Sequence, residues 1–342
     1  MQNTTSVRFI HDGIRRIDFA DVIEVNNKLY FSFFEADFNR LFIWESDGTS
    51  EGTKLIYDES GEKFYVPSFL STDGNNLLFT GKSRNGETAL LSLNLTSYQV
   101  REVQEVWQGA TLRSRFSELR ANKIFPTSDS TFLLSLANSN NRDSATWLYS
   151  NTLQTATLVA DIFHVRELIN YRGNTYFRHQ TDRENSELWQ TDPLFTNPQL
   201  LVNINTIPYG LDQATIGMLP NKIIIGAFDE VTNTELWTYD LPTDQLEALK
   251  EVSEGELRSI PIIHTNYKDI IYFSARDLEA GEELWLTVGS EVVSRLVKDI
   301  NPRSLSSQIR HFAIAQDRLF FAARINDQYF LCASDGETVT AI

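Results

Sequence analysis

The chain has 342 residues, with 46 acidic against 30 basic side chains, a formal net charge of −16 and a pI near 4.8. A field of that sign repels nucleic acid and anionic membrane, and no basic run reverses it. The single cysteine, Cys332, forbids an intrachain disulfide, and five scattered His offer no zinc spacing such as CxxC or HExxH, so neither metal nor cofactor is expected.

Taken in chain order, seven apolar runs follow turn-forming residues: Leu29-Tyr30-Phe31, Leu77-Leu78-Phe79, Phe132-Leu133-Leu134, Thr175-Tyr176-Phe177, Ile223-Ile224-Ile225, Ile271-Tyr272-Phe273 and Leu319-Phe320-Phe321. Their central residues are 48, 55, 43, 48, 48 and 48 positions apart. A period of this size means one supersecondary unit copied seven times, with a longer loop in the third unit and a shortened join to the fourth. A second phrase keeps the same period: Glu187-Leu188-Trp189, Glu235-Leu236-Trp237 and Glu283-Leu284-Trp285, with Trp44 in the first unit. Leu91, Leu148 and Cys332 stand in the Trp place in units two, three and seven.

Each unit reads as four short strands. In the sixth these are Ile260–His264, Ile270–Ser274, Glu283–Thr287 and Ser294–Asp299, separated by turn formers and acidic residues. The second strands are apolar on both faces and need cover on both sides, which stacked blades supply. No stretch of helical period competes, and no Pro- or Gly-rich linker divides the chain. The sequence therefore predicts an all-β, seven-bladed β-propeller of four-stranded blades, forming one domain over residues 1–342. Tandem β-sandwiches would need about seven strands per domain and a central boundary, and a solenoid would need shorter coils. Because the last unit is short for a full fourth strand and Val7–Asp12 matches the fourth-strand segment Arg295–Ile300, the N-terminal strand is expected to close the ring; the alternative is that Thr338–Ile342 forms that strand itself and the first twelve residues are a tail.

Phe42-Ile43-Trp44-Glu45-Ser46-Asp47-Gly48-Thr49, followed by Leu55-Ile56-Tyr57-Asp58, resembles the bacterial ELWxxDGT repeat. The likeness extends over the whole chain as a period and is specific in units one, four, five and six, whereas the DGT turn is lost from units two to six. It implies a propeller found in secreted or surface-displayed bacterial proteins and supplies no catalytic residue. The polar start Met1-Gln2-Asn3-Thr4-Thr5 carries no signal peptide, so an extracellular or cell-surface location is expected from the resemblance, with the cytoplasm as the alternative. No membrane-inserting segment is expected.

A site is expected at the mouth of the central channel, lined by first strands. Counting nine residues back from each second-strand anchor gives Asp21, Phe69, Ile124, Glu167, Thr215, Ile263 and His311, a mixed set suited to a channel face. Counting eight back gives Val22, Leu70, Phe125, Leu168, Ile216, His264 and Phe312, suited to the core between blades. Arg166 and Arg310 lie one step further back. The expected ligand-binding residues are therefore Asp21, Arg166, Glu167, Arg310 and His311. The expected function is a non-catalytic module presenting loops and a polar channel mouth to a protein or glycan partner. The alternative is a glycoside hydrolase or lyase using Asp21, Glu167 and His311.

Overall fold

A computed structural model describes residues within 19–35, 40–57, 65–82, 88–111, 120–137, 144–159, 162–180, 186–204, 215–226, 236–250, 259–302, 306–315, 318–326 and 328–341, apart from a few positions inside these ranges. They form seven sheets, each of four strands that are consecutive in the chain and antiparallel. The fold is a seven-bladed β-propeller. Blade 4, for example, runs Val165–Tyr171, Asn174–Gln180, Ser186–Thr191 and Gln199–Asn203. The long join before blade 3 carries a two-stranded ribbon, Val106–Trp107 with Ala110–Thr111. By contacts the chain divides into two compact units, Met1–Arg166 with Pro193–Thr196 and Glu167–Asp192 with Asn197–Ile342.

The second strands carry the core because they are covered on both faces. Leu77, Leu78 and Phe79 are all buried in blade 2, as are Ile223, Ile224 and Ile225 in blade 5. At roughly 1.5–3 kcal/mol for each such side chain removed from water, these strands are the main source of favourable burial in each blade.

The third strands show why the Trp phrase repeats. Trp44 pairs with Phe31, Trp189 with Phe177, Trp237 with Ile225 and Trp285 with Phe273, so each indole crosses the residue that follows the second-strand anchor. In blade 3 that place, opposite Leu134, belongs to Trp147, not to Leu148 as assigned from the sequence. Leu133 and Trp147 are 14 positions apart, as are Tyr30 and Trp44, and a one-residue shift moves a side chain to the other face. Burial is uneven: Trp44, Trp147 and Trp285 are each 7% exposed, whereas Trp189 and Trp237 are half-buried. Phe273 and Trp285 stack with centroids 6.3 Å apart.

A bulge recurs beside the Trp in blades 4, 5 and 6. Leu188 pairs with Val202 but Trp189 with Leu200, Leu236 with Lys250 but Trp237 with Ala248, and Leu284 with Lys298 but Trp285 with Leu296. One residue of each fourth strand is thus left over, which bends the outer strand beside the indole. The Leu of the phrase is fully buried in all three blades.

In blade 6 the Glu of the phrase is not solvated. Glu283 is 0% exposed and accepts hydrogen bonds from Ile300 N at 3.0 Å, Asn301 N at 3.3 Å and Ser307 Oγ at 2.5 and 2.6 Å. It thereby ties the exit of blade 6 to the join with blade 7. Burial pushes its carboxyl up to about 7, against the pull of those donors and with a further push from Asp299. Glu187 plays a local part in blade 4, accepting from Trp189 Nε1 at 2.9 Å. In blade 4 the indole N–H is thus satisfied by a carboxylate two residues back.

Blade 6 follows its predicted outline, with the strands at Ile262–Tyr267, Ile270–Asp277, Gly281–Thr287 and Arg295–Lys298. In blade 7 the fourth-strand place assigned to Val7–Asp12 is filled by Val339–Ala341, paired with Cys332, Ala333 and Ser334. The turn at Asp335-Gly336 is tight enough for this: Asp335 Oδ1 accepts from Glu337 N and Thr338 N, and Gly336 has φ +94°. Val7–Asp12 itself lies outside the described residues. Cys332 is a fully buried apolar residue whose thiol is pushed up by burial.

Candidate functional site

Within the second unit, the first strands of blades 4, 5 and 6 border a cavity of about 320 Å³. Its walls are Ile169, Asn170 and Tyr171 from blade 4, Ile216–Pro220 from blade 5, and Ile263–Asn266 with Asp269 from blade 6. The size falls at the low end of ligand sites, and the lining is mainly apolar with a few polar groups, Asp269 being the acidic one, the usual make-up of a binding pocket.

Side chains of adjacent blades stitch these first strands together. Glu167 Oε2 accepts from Ile216 N at 2.8 Å, and Thr215 Oγ1 accepts from Ile263 N at 2.9 Å. Asn266 Nδ2 donates to the Met218 carbonyl. At the hairpin ends, Arg172 Nη1 donates to Asn221 Oδ1 at 2.7 Å and Asn221 N donates to Tyr171 Oη at 3.3 Å. Pro220-Asn221 makes a two-residue turn with Asn221 in the left-handed region at φ 63°, which suits Pro followed by Asn.

His264 sits at a bulge between Ile263 and Thr265, stacked on Phe312 at 4.4 Å, with Nε2 and Ser274 Oγ 3.0 Å apart. Burial lowers its pKa to about 4, so it is neutral at physiological pH. Ser274 is 1% exposed, so this Ser–His pair is packing, not an accessible nucleophile and base. Among the described residues no group of three or more His, Cys, Asp or Glu could hold a metal ion, and no helix is long and apolar enough to cross a membrane.

The residues expected at the channel mouth occupy varied places. The backbone of Asp21 pairs with Ser32 beside a bulge after Phe19, and its side chain lies outside the described residues. Glu167 is tied to Ile216 and lies 3.6 Å from Arg178 Nε, a cation only 5% exposed. His311 is exposed at φ 59°, inside a bulge that spans Arg310 to Ala313. Arg310 spreads its guanidinium over Tyr329 at 4.1 Å. Arg166 is half-buried in the first strand of blade 4.

Counting back from the second strand does not separate channel from core, because the first strands of blades 1, 2, 3, 6 and 7 carry register shifts that reset the alternation. Val22, from the set assigned to the core, is 52% exposed, and Ile124, from the channel set, is buried. Ile216 and His264, also assigned to the core, border the cavity, and Ile216 is at the same time buried in the core shared by blades 4 and 5. Met218 and Asn266 fell in neither set.

No family model matches the chain, and no curated protein matches it. Solved structures do share the fold. The β-propeller domain of the Trilobed protease from Pyrococcus furiosus, which has an open velcro topology, is 9% identical with a TM-score of 0.57 over 95% of both chains. One of two prolyl endopeptidases is 10% identical with a TM-score of 0.66, over 95% of this chain and 49% of that one. The acylaminoacyl peptidase of Pyrococcus horikoshii is 11% identical with a TM-score of 0.56, over 95% of this chain and 52% of that one. The chain thus spans about half the length of the latter two peptidases.

This finding corrects the functional expectation. The propellers of like fold described above belong to peptidases, and the cavity wall in the second unit is largely apolar where a polar mouth was expected.

Proposed function

We propose that this chain is a peptidase-related propeller that receives peptide in the cavity of blades 4–6. The carrying observation is the likeness of the whole propeller to those of a protease, prolyl endopeptidases and an acylaminoacyl peptidase. The cavity supports it: Ile169, Ile216 and Ile263 offer apolar contact, neutral His264 adds no charge, and Asn170 and Asn266 are amides suited to peptide groups. Bond cleavage is assigned to a catalytic domain beyond the propeller, since the endopeptidase and acylaminoacyl peptidase are about twice as long as the region they share with this chain. The chain's own residues would bind and orient peptide and exclude water around it. The bacterial, exported setting implied by the ELWxxDGT resemblance is kept as part of this reading, and fractionation of the producing cell would test it.

Calorimetric titration of the folded chain with neutral, end-blocked peptides about six residues long checks the proposal. Saturable binding that weakens when Ile263→Asp places a charge in the wall is the expected result. Absence of binding by protein whose circular dichroism shows intact β-structure overturns it.

A further inference from the structure

The register of blade 5 determines which backbone groups face the cavity. Its first two strands, Thr215–Leu219 and Lys222–Gly226, pair without a bulge: Thr215 with Gly226, Ile216 with Ile225, Gly217 with Ile224, Met218 with Ile223 and Leu219 with Lys222. A two-residue hairpin closes on a hydrogen-bonded pair, here Leu219 and Lys222, and such pairs alternate with non-bonded ones. Thr215, Gly217 and Leu219 therefore exchange bonds with the second strand. Ile216 and Met218 turn their N–H and C=O groups to the opposite edge. Two contacts agree with this: Ile216 N donates to Glu167 Oε2, and the Met218 carbonyl accepts from Asn266 Nδ2.

Each of these two residues thus has one edge group engaged and one with no partner among the described residues. The open groups are the Ile216 C=O and the Met218 N–H, which bracket Gly217. Both residues are buried, at 7% and 8% exposure, and both border the cavity. Buried backbone groups require partners. A carbonyl and an amide two residues apart on one strand edge are the acceptor and donor with which a parallel strand grips a single residue of its neighbour.

We infer that the inner edge of blade 5 binds an extended peptide by strand addition, the Ile216 C=O accepting from one peptide residue's N–H and the Met218 N–H donating to the same residue's C=O. This deepens the peptidase-related reading and rests on it. The main-chain bonds give affinity regardless of sequence, and the flanking walls set side-chain preference. Ile169 and Tyr171 stand on one side and Ile263 and Thr265 on the other, so neutral, apolar peptide residues are preferred at this point. Glu167 and Asn266 act as positioning residues: by occupying the outer groups they leave one residue-sized clasp.

The test uses the full chain and an end-blocked peptide of alanines with one central leucine, in parallel with versions N-methylated at one amide each. Removing the gripped amide should lower affinity at least tenfold, whereas methylation of the two flanking amides, which point away from the edge, should change it little. In the same complex, hydrogen exchange at the Met218 amide should slow at least tenfold, and the Gly217 amide, already in the ladder, should be unaffected. A peptide that binds with a flat methylation profile and leaves Met218 exchange unchanged overturns the strand-addition site while sparing the peptidase-related reading. Failure of every peptide to bind overturns both.

Discussion

At Glu283, removal from water opposes the charge that three donors favour. Its folded pKa of about 7 lies above the ordinary value of 4.5, so the folded protein holds this proton more tightly than the unfolded chain does. Stability from this group is therefore present below about pH 4.5 and is lost as pH rises through about 7. The melting temperature should fall between about pH 5 and pH 8, and Glu283→Gln should flatten that slope. Asp335, lowered to about 2 by its turn, acts in the opposite sense but only below its ordinary 3.8, outside this window. A second residue-scale expectation follows from uneven burial of the indoles. Trp285→Ala should cost roughly 3–5 kcal/mol in chemical denaturation. Trp237→Ala, from a half-buried position, should cost less. The sequence spacing places Trp237 and Trp285 on one register but carries no record of their unequal cover.

At the scale of the strand, close approach between blades decides which glycines matter. A Cβ on Gly226 would sit 2.6 Å from the Pro261 carbonyl oxygen, whereas one on Gly217 would meet the movable methyl ends of Ile271 at 2.8 Å and Ile263 at 3.0 Å. Backbone yields less readily than a side-chain tip, so Gly226→Ala should destabilise more than Gly217→Ala, by about 1–3 kcal/mol against a smaller loss. Glu167 illustrates the same point for polar groups. As a solvated channel residue it would tolerate Gln within about 0.5 kcal/mol. Tied to Ile216 N and beside buried Arg178, it should instead lose about 1–3 kcal/mol as Glu167→Leu, with Glu167→Gln intermediate because the amide oxygen can still accept. Second and third strands were legible because the apolar run recurs in every blade and the Trp phrase in blades 1, 4, 5 and 6. First strands were not, since the bulges at Asp21, Lys123, His264 and His311 shift side chains between faces without changing the hydrophobic count.

For the molecule as a whole, the seven-unit count and the all-β class were legible because each unit repeats the same burial problem. The cavity was not, because it is made by backbone edges and by residues 48 positions apart whose identities differ from blade to blade. Net charge acts at this scale too. At −16 the folded chain repels itself, and salt screens that repulsion beyond a Debye length of roughly 8 Å at 0.15 M. Raising ionic strength from about 0.01 to 0.15 M at pH 8 should therefore raise the melting temperature.

The stitches from Glu167 to Ile216 and from Thr215 to Ile263 each span one repeat, 49 and 48 residues. A blade leaving the ribosome therefore needs only its predecessor to complete these bonds, and the second unit can gain order progressively during synthesis. Loop closure over one repeat costs little more than closure over half of one, since the entropic penalty grows only logarithmically with length. A single-residue insertion inside Thr215–Leu219 would misplace bonds to the blades made before and after it. Length changes are expected to survive selection only in the outer connections, such as the ribbon before blade 3.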